Sequence, residues 1–514
     1  MASSQSKEPG SASNTPTPGS QRVSLAEALR RAVAWHNQGR ADAAESIYRQ
    51  ILARKPQQVD ALHLLGVLHL QAGRAADALP LLERAAALAP ASDLVLGNYA
   101  LALDAAGRMT DARRMFERAL ALKPHNPGTH SNLGGLLQRM GDYPAALAAY
   151  TSALRIDPHF ADGLYNLGSL HLEYAEADAA LAAFERALEI APDNGRYRWN
   201  RAWCLLLLGR LKQGFAAYEH RWENPDFAPF KRRLDRPEWR GEPLAGKMLL
   251  LWAEQGLGDT LQFIRYVALV RRRVGESARI VVECDALLAP LLRHLQGVDA
   301  VTPRGTAPPD GIDVHRALMS LPHVFETTNS TVPAETPYLS PPPEPRAAGQ
   351  RVAALRGRKI GLVWAGNQAN VRDARRSIPL ARLAQLPYRD DVTFVSLQKG
   401  DRARRELATG GNRLPIVDIA DHLNDFADTA SALVACDLVI SVDTAVAHLA
   451  GALGRPTYLL LQYSPDWRWM LRRDDSPWYP SLRLFRQPRL DDWDGAAVAL
   501  AAALQGWLGR NGAG

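Results

Sequence analysis

Pro56, Pro90, Pro124, Pro158 and Pro192 stand 34 residues apart. A helix breaker that returns at one interval confines this part of the chain to a stack of like units. Twelve residues before each proline is an alanine: Ala44, Ala78, Ala112, Ala146 and Ala180. Eight before it is a large residue: Tyr48, Leu82, Phe116, Tyr150 and Phe184. Five before it, Ala85, Ala119, Ala153 and Ala187 recur, and Gly66, Gly134 and Gly168 mark the first helix of three units. Two antiparallel helices per unit account for this pattern. Small residues let the helices approach, the large residue fills the gap between neighbouring units, and proline ends the second helix. The units fall at 25–58, 59–92, 93–126, 127–160 and 161–194, and a degenerate sixth, "RYRWNRAWCLLLLGRLKQGFAAYEHRW" (196–222), caps them.

This pattern resembles the tetratricopeptide repeat. The resemblance implies an array with a concave surface for a peptide or protein partner. The period carries no catalytic insertion, so the expectation is that the array selects an acceptor without building a catalytic site.

The period dies near residue 224, and the array is placed at 22–224. The segment "ENPDFAPFKRRLDRPEWRGEPLAGK" (223–247) reads as a connector, bounded at 225–246. Short apolar runs then alternate with amphipathic stretches. Strands are predicted at 248–254, 278–284 and 298–303, with helices at 260–273 and 285–295. After the proline-rich link 336–350, strands are predicted at 359–366, 392–398, 437–442 and 456–462. Buried strands alternating with helices imply parallel sheets. The fold class is an α solenoid followed by α/β, with two Rossmann-like domains (247–345 and 350–510) facing a cleft. Residues 1–21, rich in Ser, Pro, Gly and Thr, read as a disordered tail.

The 514 residues are 47% hydrophobic and 22% charged, without an apolar run long enough to span a bilayer. The net charge of +7 comes from scattered arginines, which suit anionic small ligands or acidic partners better than nucleic acid. Cys204, Cys284 and Cys436 sit in apolar segments and form no zinc spacing, as expected of free thiols in a reducing, cytoplasmic setting.

Three stretches carry chemistry. In "LLLWAEQGLGDTLQFIRY" (249–266), Gly256 and Gly258 precede Asp259, but Leu261 stands where a dinucleotide fingerprint needs its third glycine. Glu283 is the nearest candidate for a ribose-binding acid. A carboxylate competes with phosphate for helix N–H groups, so Asp259 is either a helix cap or a general base. In "DLVISVDTAVAHLAGALGRP" (437–456), a strand ends and Asp443-Thr444 open a helix. The N–H groups of Ala445 and Val446 there suit a diphosphate, unless the junction is only a capped turn. His448 follows one turn on, as a ligand contact or a packing residue. In "GNQANVRDARRSIPLARL" (366–383), Asn367, Arg372, Arg375 and Arg376 leave a strand end as a polar loop, with a helix beginning near Ile378-Pro379. These arginines, and Lys399 in "SLQKG", either meet a diphosphate or are solvated.

Residues from about 247 to 490 resemble glycosyltransferase family nine, the heptosyltransferases, through "GLGD", "RRSIP" and "DTAVAHLAGALGRP". The resemblance implies a GT-B arrangement and a nucleotide-diphosphate sugar as co-substrate, with no other cofactor. It implies Asp259 as the base, Arg376 on the donor's diphosphate, and Asp443, Thr444 and Ala445 around sugar and diphosphate. Gly256, Gly258, Asn367, His448 and Lys399 are further candidates. Ala445 departs from the family's glycine and narrows the donor side. The fused repeats are similar to those of the protein O-linked N-acetylglucosamine transferases. The expected activity is metal-independent, inverting sugar transfer to a protein or glycan hydroxyl. The alternative is a non-catalytic repeat scaffold.

Overall fold

A computed structural model describes residues 24–510 apart from 308, 368–372 and 410–413. The expected tail and Arg372 lie outside the described residues. The chain divides into two compact units, up to Pro158 and from His159 onward.

The first unit is four helix pairs: Leu25–Asn37 with Ala41–Arg54, Val59–Gln71 with Ala75–Leu88, Asp93–Ala105 with Met109–Leu122, and Pro127–Arg139 with Tyr143–Ile156. Each second helix ends two residues before its proline. Two residues after three of the prolines a polar side chain caps the next helix: Gln58 accepts from the Ala61 N–H, Ser92 from Val95 and Asn126 from Thr129. The large residue eight before the proline packs toward the next unit, as expected: Tyr48 clusters with Ala61 and Leu65, and Leu82 with Ala102. Where the first helix of its own unit carries a glycine, it also seats on that glycine. A Cβ on Gly66 would lie 2.5 Å from the Leu82 side chain, and one on Gly134 would lie 2.7 Å from the Tyr150 ring.

The second unit begins with two more helix pairs, Ala161–Glu173 with Ala177–Ile190 and Gly195–Leu207 with Leu211–Tyr218. Two parallel sheets follow. The first holds β1 (Met248–Trp252), β2 (Arg279–Cys284), β3 (Ala300–Pro303) and β4 (Val314–Ala317), in the order β3-β2-β1-β4. The second holds β5 (Arg358–Val363), β6 (Val392–Ser396), β7 (Ile416–Asp418), β8 (Leu438–Val442), β9 (Thr457–Leu461) and β10 (Leu482–Arg486), in the order β10-β9-β8-β5-β6-β7. In both, the chain adds strands to one side of the first strand and then jumps to the other side. The crevices beyond the carboxyl ends of β1 and β4, and of β5 and β8, are therefore the places where such sheets bind ligands.

Three of these strands were not predicted. In β4 ("VHRA"), His315 and Arg316 are buried because they have partners: the Trp252 indole N–H donates to His315 Nδ1 at 3.2 Å, and Arg316 pairs with Glu219 and Glu238. β7 has three residues, and β10 ("LRLFR") alternates charge with apolar residues. The expected helix at 285–295 is only Ala289–Leu292. Pro290 stands at its start, and the Asp285 carboxylate holds the preceding residues in a turn by accepting from the Leu287 N–H at 2.9 Å. The helix expected over 260–273 begins at Leu257 and is interrupted by a 3₁₀ turn at Ile264–Tyr266. The loop with Arg375 and Arg376 is a helical turn, Asp373–Arg376, and a 3₁₀ segment, Leu380–Gln385, replaces the helix expected near Ile378.

The connector is packed rather than free. Trp239 is buried, and its backbone N–H donates to the His315 carbonyl at 2.9 Å, alongside β4. Leu206, Leu207, Leu211 and Phe215 of the last helix pair share a core with Leu249, Leu251 and Phe263 of the first sheet domain.

Gly134 and its neighbour Gly135 separate packing from helix propensity. A Cβ at Gly135 meets nothing closer than 3.5 Å. Gly134→Ala should lower stability by about 1–3 kcal/mol through overpacking. Gly135→Ala should raise it by up to ~1 kcal/mol through propensity. Thermal unfolding of the two variants checks this; melting shifts of the same sign would contradict it.

Candidate active site

A cavity of about 1950 Å³ lies between the two sheets of the second unit. Asp259, Asn367, Arg376, Lys399, Asp443, Thr444, Ala445 and His448 line it, with Gly256 and Gly258. It also reaches Tyr165, Ser169, Trp199, Asn200 and Trp203, all from the last helix pairs. The array is expected to select an acceptor without building a catalytic site, and the residues of its last pairs line the cavity. Residues 161–222 form one wall of it, because the apolar face of the last pair packs into the first sheet domain's core.

Gly256 is the N-cap of helix Leu257–Phe263, and Asp259 sits three residues in. The Asp259 carboxylate reaches back and accepts the Gly256 N–H through Oδ2 at 2.8 Å. Its Oδ1 is paired with Arg468. Burial pushes the Asp259 carboxyl upward, the nearby Arg468 charge opposes this, and Asp466 adds to the rise.

Gly258 serves packing. A Cβ there would lie 2.8 Å from His448 Cδ2 and 3.5 Å from the Ala445 Cα. The glycine admits helix Ala445–Ala452 of the second sheet domain against helix Leu257–Phe263 of the first. His448 cannot give way, because its Nδ1 is 2.9 Å from Tyr479 Oη and its ring stacks on Trp469 at 5.2 Å. Burial holds the His448 imidazole well below its ordinary range, so it is neutral.

On the opposite side, Thr444 is the N-cap of helix Ala445–Ala452, and its hydroxyl lies 3.3 Å from Ser441 Oγ. The first N–H groups of that helix have no intrahelical acceptor. Asp443, beside them, is pushed up to about 6 by burial first and by Asp466 second, against the Arg376 charge. Arg376 Nε donates to Asp373 Oδ1 at 3.2 Å and lies against Gly366, where a Cβ would come within 2.6 Å of its guanidinium. Arg375 also lines the cavity, where it pairs with Glu173 of the repeat helix Ala161–Glu173 at 2.7 Å. Lys399 Nζ donates to the Leu423 carbonyl. Glu283, the candidate for a ribose contact, is buried and paired with Arg232 at 2.8 Å.

Arg468 was not found from sequence. It lies within "SPDWRWMLRR" (464–473), and its chief partners are more than 200 residues away. Nε donates to Gln262 Oε1 at 2.6 Å, NH1 to Asp466 Oδ1 at 2.8 Å and NH2 to Asp259, while the guanidinium stacks over Trp467 at 4.4 Å. Also missed was Arg221 of the capping unit. It is fully buried against Glu254 at 2.8 Å and donates to Ser320 Oγ at 2.8 Å. Burial pushes the Glu254 carboxyl up to about 7 even so. Among the described residues no group of three or more His, Cys, Asp or Glu is placed to hold a metal ion, and no helix is long and apolar enough to cross a membrane.

Fold and cavity thus describe a repeat protein joined to a pair of parallel-sheet domains with a ligand cleft. Residues 36–97, 91–159, 137–198 and 175–222 match tetratricopeptide repeat models. Residues 383–488 match glycosyltransferase family 9 (heptosyltransferase), so the chain joins such repeats to a family 9 domain. Protein FlbA of Caulobacter vibrioides is 29% identical over 327 residues, covering 59% of this chain and 54% of that protein. The chain thus spans about half the length of this curated relative. Among solved structures, the tetratricopeptide repeat protein TTC0263 of Thermus thermophilus is 26% identical, covering 35% of this chain and 97% of that one, with a TM-score of 0.32. MamA is 24% identical, covering 32% and 97%, with a TM-score of 0.29.

Gly258→Ala should cost about 1–3 kcal/mol, because the new methyl meets a histidine that is pinned on two sides. Chemical denaturation measures this. An unchanged midpoint would show that the two helices part easily.

Proposed function

We propose that the chain transfers a sugar from a nucleotide-diphosphate sugar to an acceptor hydroxyl, by direct displacement with inversion and without a metal. One observation carries the reading: Asp259 of the first sheet domain lines the same cavity as Arg376 and the helix start at Thr444 of the second. The donor's diphosphate lies against Arg376 and the N–H groups of Ala445 and Val446, with Asp443 toward the sugar. The acceptor oxygen bonds to the anomeric carbon while the bond from that carbon to the diphosphate oxygen breaks. The acceptor's proton passes to the Asp259 carboxylate, and the leaving charge rests on Arg376 and the helix N-terminus. The two domains and their cleft correspond to a GT-B arrangement.

The cavity is larger than the few hundred to about 1,000 Å³ of an ordinary ligand site. Its second half, along Tyr165, Trp199, Asn200 and Trp203, is assigned to the acceptor, a protein or glycan. Amide groups there suit hydrogen bonds, and half-buried indoles suit apolar or sugar faces. The three cysteines are buried and unpaired, which supports a reducing, cytoplasmic setting.

A second reading, a scaffold that does not turn over, draws on the arginine seated on Asp259, since a paired carboxylate is a weaker base. Assay of nucleoside diphosphate release from ADP-, GDP- and UDP-sugars separates the two.

Asp259→Asn should cut transfer by about 10²–10⁴ while donor affinity holds. Near-normal turnover would reduce Asp259 to a cap. Arg376→Ala should weaken nucleoside diphosphate binding by about 1.5–3 kcal/mol in calorimetry. Unchanged affinity would move the phosphate site toward Lys399.

A further inference from the structure

Asp259 does not stand alone. Its two oxygens are each held, Oδ2 by the Gly256 N–H of its own domain and Oδ1 by Arg468 of the other. A carboxylate has about four lone-pair directions, so both oxygens retain one for a substrate hydroxyl. Arg468 is itself fixed on three further sides, by Asp466, by Gln262 and by the face of Trp467. Its side chain is 8% exposed. An arginine held in this way is part of the frame of the site, and the pair it makes spans the two sheet domains.

We propose that Arg468 is a positioning residue for the transfer reaction: it reaches from the donor-side domain and clamps the Asp259 carboxylate in the orientation that receives the acceptor's proton. The proposal rests on the reading of Asp259 as the base. The surroundings make the clamp necessary. Burial favours the neutral carboxyl, and Asp466, on the same segment as Arg468, adds a like charge. From helix Ala445–Ala452 and the residues before it come neutral His448 and Asp443. From the capping unit comes Tyr218, from the end of β1 Glu254, and from the turn after β5 Arg376. Among the described residues, Arg468 is the cation in hydrogen-bond contact with Asp259. Without it the carboxyl holds its proton to higher pH and loses the anchor on Oδ1.

The test compares Arg468→Gln, Arg468→Lys, Asp259→Asn and the double variant Asp259→Asn with Arg468→Gln. Release of nucleoside diphosphate from ADP-, GDP- and UDP-sugars is followed across pH, and ADP, GDP and UDP binding is titrated. In Arg468→Gln the acid limb of kcat/KM should move up by about 1–3 pH units, the effect of losing one adjacent opposite charge. At mildly acidic pH the rate then falls about tenfold or more and recovers as the pH rises, with nucleoside diphosphate affinity retained. Arg468→Lys, which keeps the charge, should hold the limb near its wild-type position. The double variant should be no slower than Asp259→Asn, because a residue that acts through Asp259 adds nothing once the base is gone. A loss in Arg468→Gln that is equal at every pH, or a double variant well below Asp259→Asn, overturns the proposal. If Arg468→Gln no longer binds nucleoside diphosphate, the Arg468→Lys limb decides: a limb moved up as far as removing the charge would move it overturns the clamp. Near-normal turnover by Asp259→Asn instead removes the base reading, and the proposal falls with it.

Discussion

The approach of helix Ala445–Ala452 to helix Leu257–Phe263 is the contact on which the rest of the second unit depends. It exists because position 258 has no side chain and position 445 has only a methyl. The two helix N-termini then open into one cavity, each at the carboxyl end of a parallel strand. Asp259 and Asp443 line the same space, and Arg468 can span from one domain to the carboxylate of the other. A larger residue at 258 would meet a His448 ring fixed by Tyr479 and Trp469.

A second constraint ties the last helix pair to the first sheet domain. Arg221 and Glu254 are both fully buried, and each would be costly without the other. Around them Trp222 lies tilted against Trp252 at 5.7 Å, and Gln255 donates to Tyr218 Oη at 2.9 Å. Glu254 lies at the end of β1, immediately before the glycine turn. The segment that forms the repeat-side wall of the cavity and the turn that carries the proposed base are thus parts of one packed body. The preceding pair is joined too, through Glu173 with Arg375 and the Ser464 hydroxyl donating to the Leu172 carbonyl, and the compact unit begins at His159, inside the periodic part of the sequence.

The helix pairs were legible because each unit encodes itself locally. Proline, alanine and the large residue recur at fixed offsets, and the helix bounds follow them to within a few residues. The buried apolar strands were legible for the same reason. β4 was not, because His315 and Arg316 look like surface residues until Glu219 and Glu238 are brought to them. Asp259, Arg376 and the Asp443-Thr444 turn stand out in the sequence because motif and strand end coincide, and all of them line one cavity. Arg468 and Arg221 were missed because their meaning lies in partners far away in the chain. The glycines read as unlike a dinucleotide fingerprint, and the packed helices show what Gly258 accommodates.

The two strand ends divide the labour. The glycine turn at 256–258 closes the domains and carries a carboxylate, while the proposed anion site lies across the cleft. A crystal structure of the full chain with a bound nucleoside diphosphate tests this directly. The diphosphate is expected within hydrogen-bond reach of Arg376 and of the Ala445 and Val446 N–H groups, with the glycine turn free of phosphate. A diphosphate seated on the N–H groups of Leu257 and Gly258, with Arg376 unengaged, would contradict it.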